Sequence, residues 1–212
     1  MRAACQAKGI DPQSSLAGEE LVAGAVSTVR NLRLLMDNLH RAGEYALTEE
    51  AFCGVLAQVS IDSQSAPDFL TKAVAFANDR VWGTLSYTVL IDDRTQKQYQ
   101  PEFDRAIASL QYGAIGVNIW SGMLFYFGAT TWGDYPGNTI ADIGSGMGFL
   151  HNTYLFDRPQ KSVVYAPFRI FPTPAWFATH KNLLGMARKL LKFEADPTWQ
   201  NLPGLVTAAL RG

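Results

Sequence analysis

Cysteine is scarce in this chain: Cys5 and Cys53 are the only two among 212 residues, and they lie far apart. Two distant thiols make no disulfide framework and fit reduced side chains better. An excess of charge of one sign is also missing. The formal net charge is -1, with no Lys/Arg block, so the electrostatic footprint of a nucleic-acid or acidic-membrane surface is absent. No run reaches the roughly 18 apolar residues that a membrane span requires, and residues 1–13 hold no apolar signal core. The three histidines, His40, His151 and His180, are scattered, without the spacing of a metal site or a His-based dyad. These absences point to a cytoplasmic protein that uses no metal, no nucleic acid and no membrane.

What is present is an ordinary globular composition, 48% apolar and 12% aromatic, enough for one sizeable core or two small ones. Residues 1–15 show no period and read as a frayed start. From about Gly18 to His40, Val22, Val26, Val29, Leu32, Met36 and Leu39 recur at three- and four-residue steps, which predicts an amphipathic helix stopped near Gly43. Beyond it, Val55, Ala57, Val59 and Ile61 alternate as in a strand. Residues 62–66 are a polar turn before a helix opened by Pro67, and 82–91 form a strand. Residues 92–95 turn the chain, Pro101 opens a helix that ends at Gly113, and 114–120 form a further strand. Strand, helix, strand, helix, strand with short links predicts an α/β fold: a mainly parallel sheet covered by helices.

After residue 120 the regular period is lost. Phe125, Tyr126, Phe127, Trp132 and Tyr135 stand among many glycines, following the carboxyl end of a predicted parallel strand. Ligand crevices of α/β proteins lie at such ends. The aromatics either line an apolar tunnel for a substrate or plug the end of the sheet. The run Gly144-Ser145-Gly146-Met147-Gly148 reads as a turn-rich connection, because it lacks the strand, helix and acidic residue of a dinucleotide fingerprint and the Lys of a phosphate loop. Residues 161–171 predict a strand that Pro167 confines to an edge or a bend. From Pro172 the chain reads as helical, with Trp176, His180, Leu183, Leu184, Ala187 and Leu191 on one face and a short second helix after Pro203. A packed terminal helix is expected there, in preference to one lying on a membrane.

The stretch Thr48–Ile61, TEEAFCGVLAQVSI, makes the rest legible. A Glu at a loop-to-strand junction accepts hydrogen bonds from a sugar's vicinal hydroxyls, and a Phe two residues on projects the same way to pack against a flat ring. By itself such a triplet is more often a solvated carboxylate beside a core aromatic. The stretch resembles the Glu-Glu-x-Phe-Gly-Pro-Val segment of the aldehyde dehydrogenase superfamily, although Cys53 and Gly54 stand where the family has Gly and Pro. As in that family, a helix closing on Ala77-Asn78, a strand, another helix and a Gly116-Val117-Asn118 strand follow.

That resemblance, over residues about 46 to 170, implies the C-terminal portion of an NAD(P)-dependent aldehyde dehydrogenase-like catalytic domain, oxidising an aldehyde to an acid. It implies that Glu50 binds the ribose of the nicotinamide half of NAD or NADP and that Phe52 packs near the nicotinamide. On the substrate side, Asn118 resembles the Asn of the family's Gly-x-Val-x-Val-Asn strand, and Trp132-Gly133 resembles the Phe-Gly of its Phe-Gly-Gly segment, whose aromatic borders the aldehyde. Phe125 joins them on the candidate pocket wall. The family's Gly-Tyr-Lys-x-Ser-Gly is loosely echoed by Asp134-Tyr135-Pro136-Gly137 and by Ser145-Gly146, and Lys161-Ser162-Val163 resembles its Lys-Ser-Val.

The nucleophilic Cys, general-base Glu and dinucleotide fold that the chemistry needs lie upstream of the Glu-x-Phe segment in the family, and only residues 1–49 precede it here. Cys5 has no activating, oriented setting, and small-residue packing accounts for Cys53, so no catalytic residue is assigned. Three parts are expected: a linker and helix over 1–45, the α/β domain over 46–171 and a helical tail over 172–212. The tail departs from the family's oligomerising strand. The chain alone is expected to be inactive. The competing reading is a non-enzymatic interaction module, or a subunit that binds a partner chain carrying the missing half or a further copy of itself. A third is a free-standing nucleotide-binding protein.

Overall fold

The structure, a computed structural model, describes residues 34–36, 45–49, 55–174, 177 and 180–211. Glu50, Phe52, both cysteines, His40, Trp176 and the expected helix up to residue 33 lie outside the described residues. Two compact units divide the chain, the second beginning at Arg169.

In the first unit, three parallel strands form the central sheet in the order β3 (Ser86–Val89), β4 (Ala114–Val117), β7 (Ser162–Tyr165). Ser86 faces Ala114 across the first ladder, and Ala114 faces Ser162 across the second. All four residues of β4 are buried, as the middle strand of a covered parallel sheet must be. The predicted strands 82–91 and 114–120 are shorter in the structure because both ends have other bonding. Gly83 takes φ 92°, and the Thr84 carbonyl accepts from Gly113 and Tyr135. At the other end Asn118 turns to φ 59° and leaves the extended region.

The two helices beside β3 form for reasons written locally. In α2 (Ala66–Arg80), Ser65 accepts from the Asp68 amide, Pro67 sits in the first turn, and Asp68 pairs with Lys72 at 2.8 Å. In α4 (Gln100–Ser109), Pro101 opens the helix and Phe103, Ala106 and Ile107 form its buried face. These side chains meet Leu110, Tyr112, Ile115 and Val117 in the main core, with Leu70 and Val74 of α2 against them. Residues 92–95, expected as a turn, open a short helix instead, α3 (Asp93–Gln98). Asp92 caps it by accepting from the Arg94 and Thr95 amides.

Leu34–Met36 is also different from expectation. It forms β1, pairing in parallel with β2 (Val55–Ala57), where the sequence period predicted the end of a helix. Three consecutive apolar residues fit either element, and the parallel partner takes up their backbone groups. The strand expected over 55–61 ends at Ala57, and α1 (Tyr45–Thr48) is a single helical turn where a loop was expected. Leu47 anchors that turn in a small cluster with Ala57, Val59, Phe76 and Val81, and its carbonyl accepts from the Trp82 amide at 2.7 Å.

The second unit is a helical hairpin, α6 (Leu183–Ala195) packed on α7 (Leu202–Ala209). Among the described residues from 172 onward, helix begins at Leu183, where one was expected from Pro172: Pro172 and Pro174 offer no amide, and the Asn182 amide is bonded to His180 Nδ1. Asn182 Nδ2 donates to the Ala208 carbonyl at 3.1 Å, tying the two helices. No residue of α6 is buried. Among the described residues no helix is long and apolar enough to cross a membrane.

Candidate active-site wall

Beyond β4 the chain makes a tight descent into α5 (Met123–Phe127), then returns through β5 (Trp132–Gly133), which pairs antiparallel with β6 (Phe149–Leu150). Leu124 buries completely and anchors α5, leaving Phe125 half exposed on its outer side. The Phe125 ring meets Trp132 edge-on at 5.8 Å between centroids and His151 at 5.2 Å. Edge-to-face packing sets the positive rim of one ring against the negative face of the other. The structure brings the Phe125, Trp132 and His151 rings together.

Three fastenings hold this wall. Asn152 Nδ2 donates to the Gly128 and Ala129 carbonyls at 3.0 and 2.6 Å, binding the end of β6 to the end of α5. His151 and Asn152 both adopt positive φ, 62° and 50°, which Asn tolerates and most side chains resist. Below them, Asp134 accepts from Ser145 Oγ at 2.9 Å and from Asn138 Nδ2 at 3.0 Å, and Ser145 Oγ accepts from the Thr84 amide at 2.8 Å. Burial pushes the Asp134 carboxyl up from its usual range, while the Ser145 and Asn138 hydrogen bonds oppose that shift. Finally, Gly113 and Gly133 approach so closely that a Cβ on Gly113 would strike the Gly133 carbonyl. Thus the Gly-rich run 144–148 is a turn whose Ser ties the wall to the sheet, as its composition indicated.

Asn118 lies apart from that cluster. It is 5% exposed, and its Oδ1 accepts from the Ile91 amide at 2.9 Å. That oxygen joins the ends of β3 and β4. Lys161 likewise serves the fold: its ammonium donates to the Ile107, Ala108 and Leu110 carbonyls, closing the C-terminal end of α4. Burial draws its pKa down.

A cavity of about 860 Å³ opens beside α1, with Glu49 on its lining together with Phe76, Trp82, Tyr87, Tyr112 and Ser145. Glu50 and Phe52, the cofactor residues implied by resemblance, lie outside the described residues. The described residues contain no cysteine and no cluster of His, Cys, Asp or Glu that would hold a metal. Gly144–Gly148 leads into a strand and opens no helix, so this run is not the helix-opening phosphate loop of a dinucleotide fold.

Sequence reasoning missed His151, Asn152 and the Asp134–Ser145–Asn138 knot. An Asn beside a His in a Gly-rich region signals positive φ, but its bonding partners some two dozen residues upstream are a tertiary fact. The arrangement defines the class of site: an aromatic wall on the segment that follows the middle strand, folded back so that Gly133 lies against Gly113, Tyr135 donates to the Thr84 carbonyl and Thr131 bonds Ser162, at the amino end of the parallel sheet and not at the carboxyl end where a crevice was expected. No protein-family model, curated protein or solved structure matches the chain.

Proposed function

We propose that this chain is the C-terminal portion of an aldehyde dehydrogenase-like catalytic domain and supplies part of the substrate and cofactor walls for NAD(P)-dependent oxidation of an aldehyde. The observation that carries the reading is the edge-on Phe125–Trp132 ring pair, 5.8 Å between centroids, on the segment that follows the middle parallel strand. Its rings offer an apolar surface against which an aldehyde's hydrocarbon part packs. Glu50 and Phe52 would meet the nicotinamide riboside. A bound dinucleotide would accept the hydride, and a thiolate from outside the described residues would form the covalent intermediate.

Tryptophan fluorescence tests the wall. Benzaldehyde should quench the purified chain saturably, and Phe125→Ala should weaken that binding about tenfold, equivalent to roughly 1.4 kcal/mol. Equal affinity in Phe125→Ala would remove the wall from the reading. NADH binding should weaken in Glu50→Ala. The purified chain should not reduce NAD with an aldehyde; steady NADH production abolished by Cys5→Ser would overturn the assignment of the nucleophile elsewhere.

A second reading, an interaction module, is favoured by one observation. Ile140, Tyr154 and Leu155 are large apolar residues left almost fully in solvent, which monomeric surfaces seldom concentrate. Light scattering decides: a clean monomer that binds no apolar dye counts against it.

A further inference from the structure

The second unit carries a surface that the proposed oxidation does not use. On α6, Leu184 and Leu191 stand seven residues apart, so they fall on one face two turns from each other. They are 65% and 72% exposed. The contacts to α7 come from elsewhere on the helix: Gly185, Met186 and Phe193 are the half-covered positions, and the Lys189 stem lies beside Gly204. The outward leucine stripe is extended by Leu183 and Leu190, also exposed, and Trp199 in the link to α7 is 86% exposed.

Charge surrounds that stripe. Arg188 lies four residues after Leu184 and Lys192 one after Leu191, along one edge of the stripe, with Glu194 three residues after Leu191 on the stripe side; all three are exposed, as is Lys181 just before the helix. From residue 169 to 211 the cations are Arg169, Lys181, Arg188, Lys189, Lys192 and Arg211, against Glu194 and Asp196 alone. The chain as a whole has a net charge of -1, so positive charge is segregated into this unit and the remainder is acidic. The whole-chain balance hid that segregation.

We propose that the α6–α7 hairpin is a docking surface for an anionic lipid bilayer, with the Leu184/Leu191 stripe and Trp199 entering the headgroup boundary and Arg188 and Lys192 meeting lipid phosphates. An exposed leucine and tryptophan face rimmed by cations is the pattern of helices that lie in the interface plane, and juxtaposed basic residues are attracted to an acidic leaflet. Screening by salt follows, because the attraction acts within a Debye length of the surface. The terminal helix is packed on α7, as expected, and the proposal departs only from the expectation of no membrane partner, on the exposure of these leucines.

The test is cosedimentation of the full chain with vesicles of phosphatidylcholine alone and of phosphatidylcholine with about a third phosphatidylserine. The proposal expects at least tenfold tighter partition onto the serine-containing vesicles, a loss of most of it at 0.5 M salt, and a blue-shifted tryptophan emission that Trp199→Phe removes. Leu184→Ser with Leu191→Ser should abolish binding, and Arg188→Gln with Lys192→Gln should reduce it severalfold, both with the far-UV spectrum unchanged. Equal partition onto both vesicles, no partition, or undiminished binding by the leucine variant overturns it. Light scattering without lipid supplies the remaining arm: a dimer that the leucine variant returns to monomer would make this face a self-interface and refute the lipid assignment.

Discussion

Every residue of β4 is buried, and no residue of α6 is. Both elements are rich in apolar residues, Ala, Ile and Val in one and Leu, Met, Phe and Ala in the other, yet they serve opposite ends. In β4, helices on one flank and the neighbouring strands leave no side chain in water, so its apolar content is converted into stability at about 25 cal/mol per Å² removed from solvent. In α6 one narrow side rests on α7 and the leucine stripe is left wet, so its apolar content holds unused affinity. Hydrophobic residues in a sequence therefore state a quantity of binding free energy without saying whether the fold or a partner receives it.

The contrast is broken most forcefully from the buried side. Phe103 is fully buried beneath the sheet, and Phe103→Ala should destabilise the first unit by about 3–5 kcal/mol, read as a lowered denaturant midpoint. Lys161→Met should cost about 2 kcal/mol, since it frees three carbonyls at the end of α4 that a charged donor now satisfies; the same denaturation curve reports it. A milder effect comes with alkali. Burial, reinforced by the neighbouring Tyr87, pushes the Tyr112 phenol up to about 12, above an ordinary value near 10. Its folded value is the higher one, so its stabilisation is complete below about pH 10 and is lost as pH rises through about 12. The melting temperature should fall over that window, and Tyr112→Phe should flatten the fall, because the phenol that donates to the Ala77 carbonyl is then gone. Leu184→Ser with Leu191→Ser should sit at the bottom of the scale, within about 0.5 kcal/mol of the parent. A large loss of stability there would mean that α6 is held by its leucines, and the comparison would collapse.

The parallel α/β arrangement was legible because β3, α4 and β4 carry their own start and stop signals: a strand period, Pro101, and an apolar helix face at three- and four-residue steps. The same held for α2, with Pro67. Legibility failed where two principles competed over few residues. Leu34–Met36 satisfies a helical period and a strand equally, and Val55–Ala57, a partner nineteen or more residues away, decided between them. Asp92 reads as a turn residue or as a helix cap, and it caps. Phe125 was singled out from the aromatic, Gly-rich stretch and Trp132 by resemblance as well, whereas the link through Asn152 and the role of Asn118 in joining β3 to β4 depend on hydrogen bonds between distant segments. Unit 2 misled differently: the proline pair at 172 and 174 delayed its helix, and its positive charge vanished into the sum over the chain.

The placement of β7 bears on the order in which the first unit assembles. β3 and β4 are joined by a compact stretch containing α3 and α4, whereas β7 reaches β4 only after the long excursion that carries the aromatic wall. Closing a larger loop costs more chain entropy before any contact rewards it. The β3–β4 pair and its helices therefore form first, as a template, and β7 docks late, bringing Lys161 onto the open end of α4. Until that docking, Phe125 and Trp132 belong to an unclosed loop, so the wall is among the last parts of the molecule to acquire its shape and the first to lose it when unfolding begins from that edge.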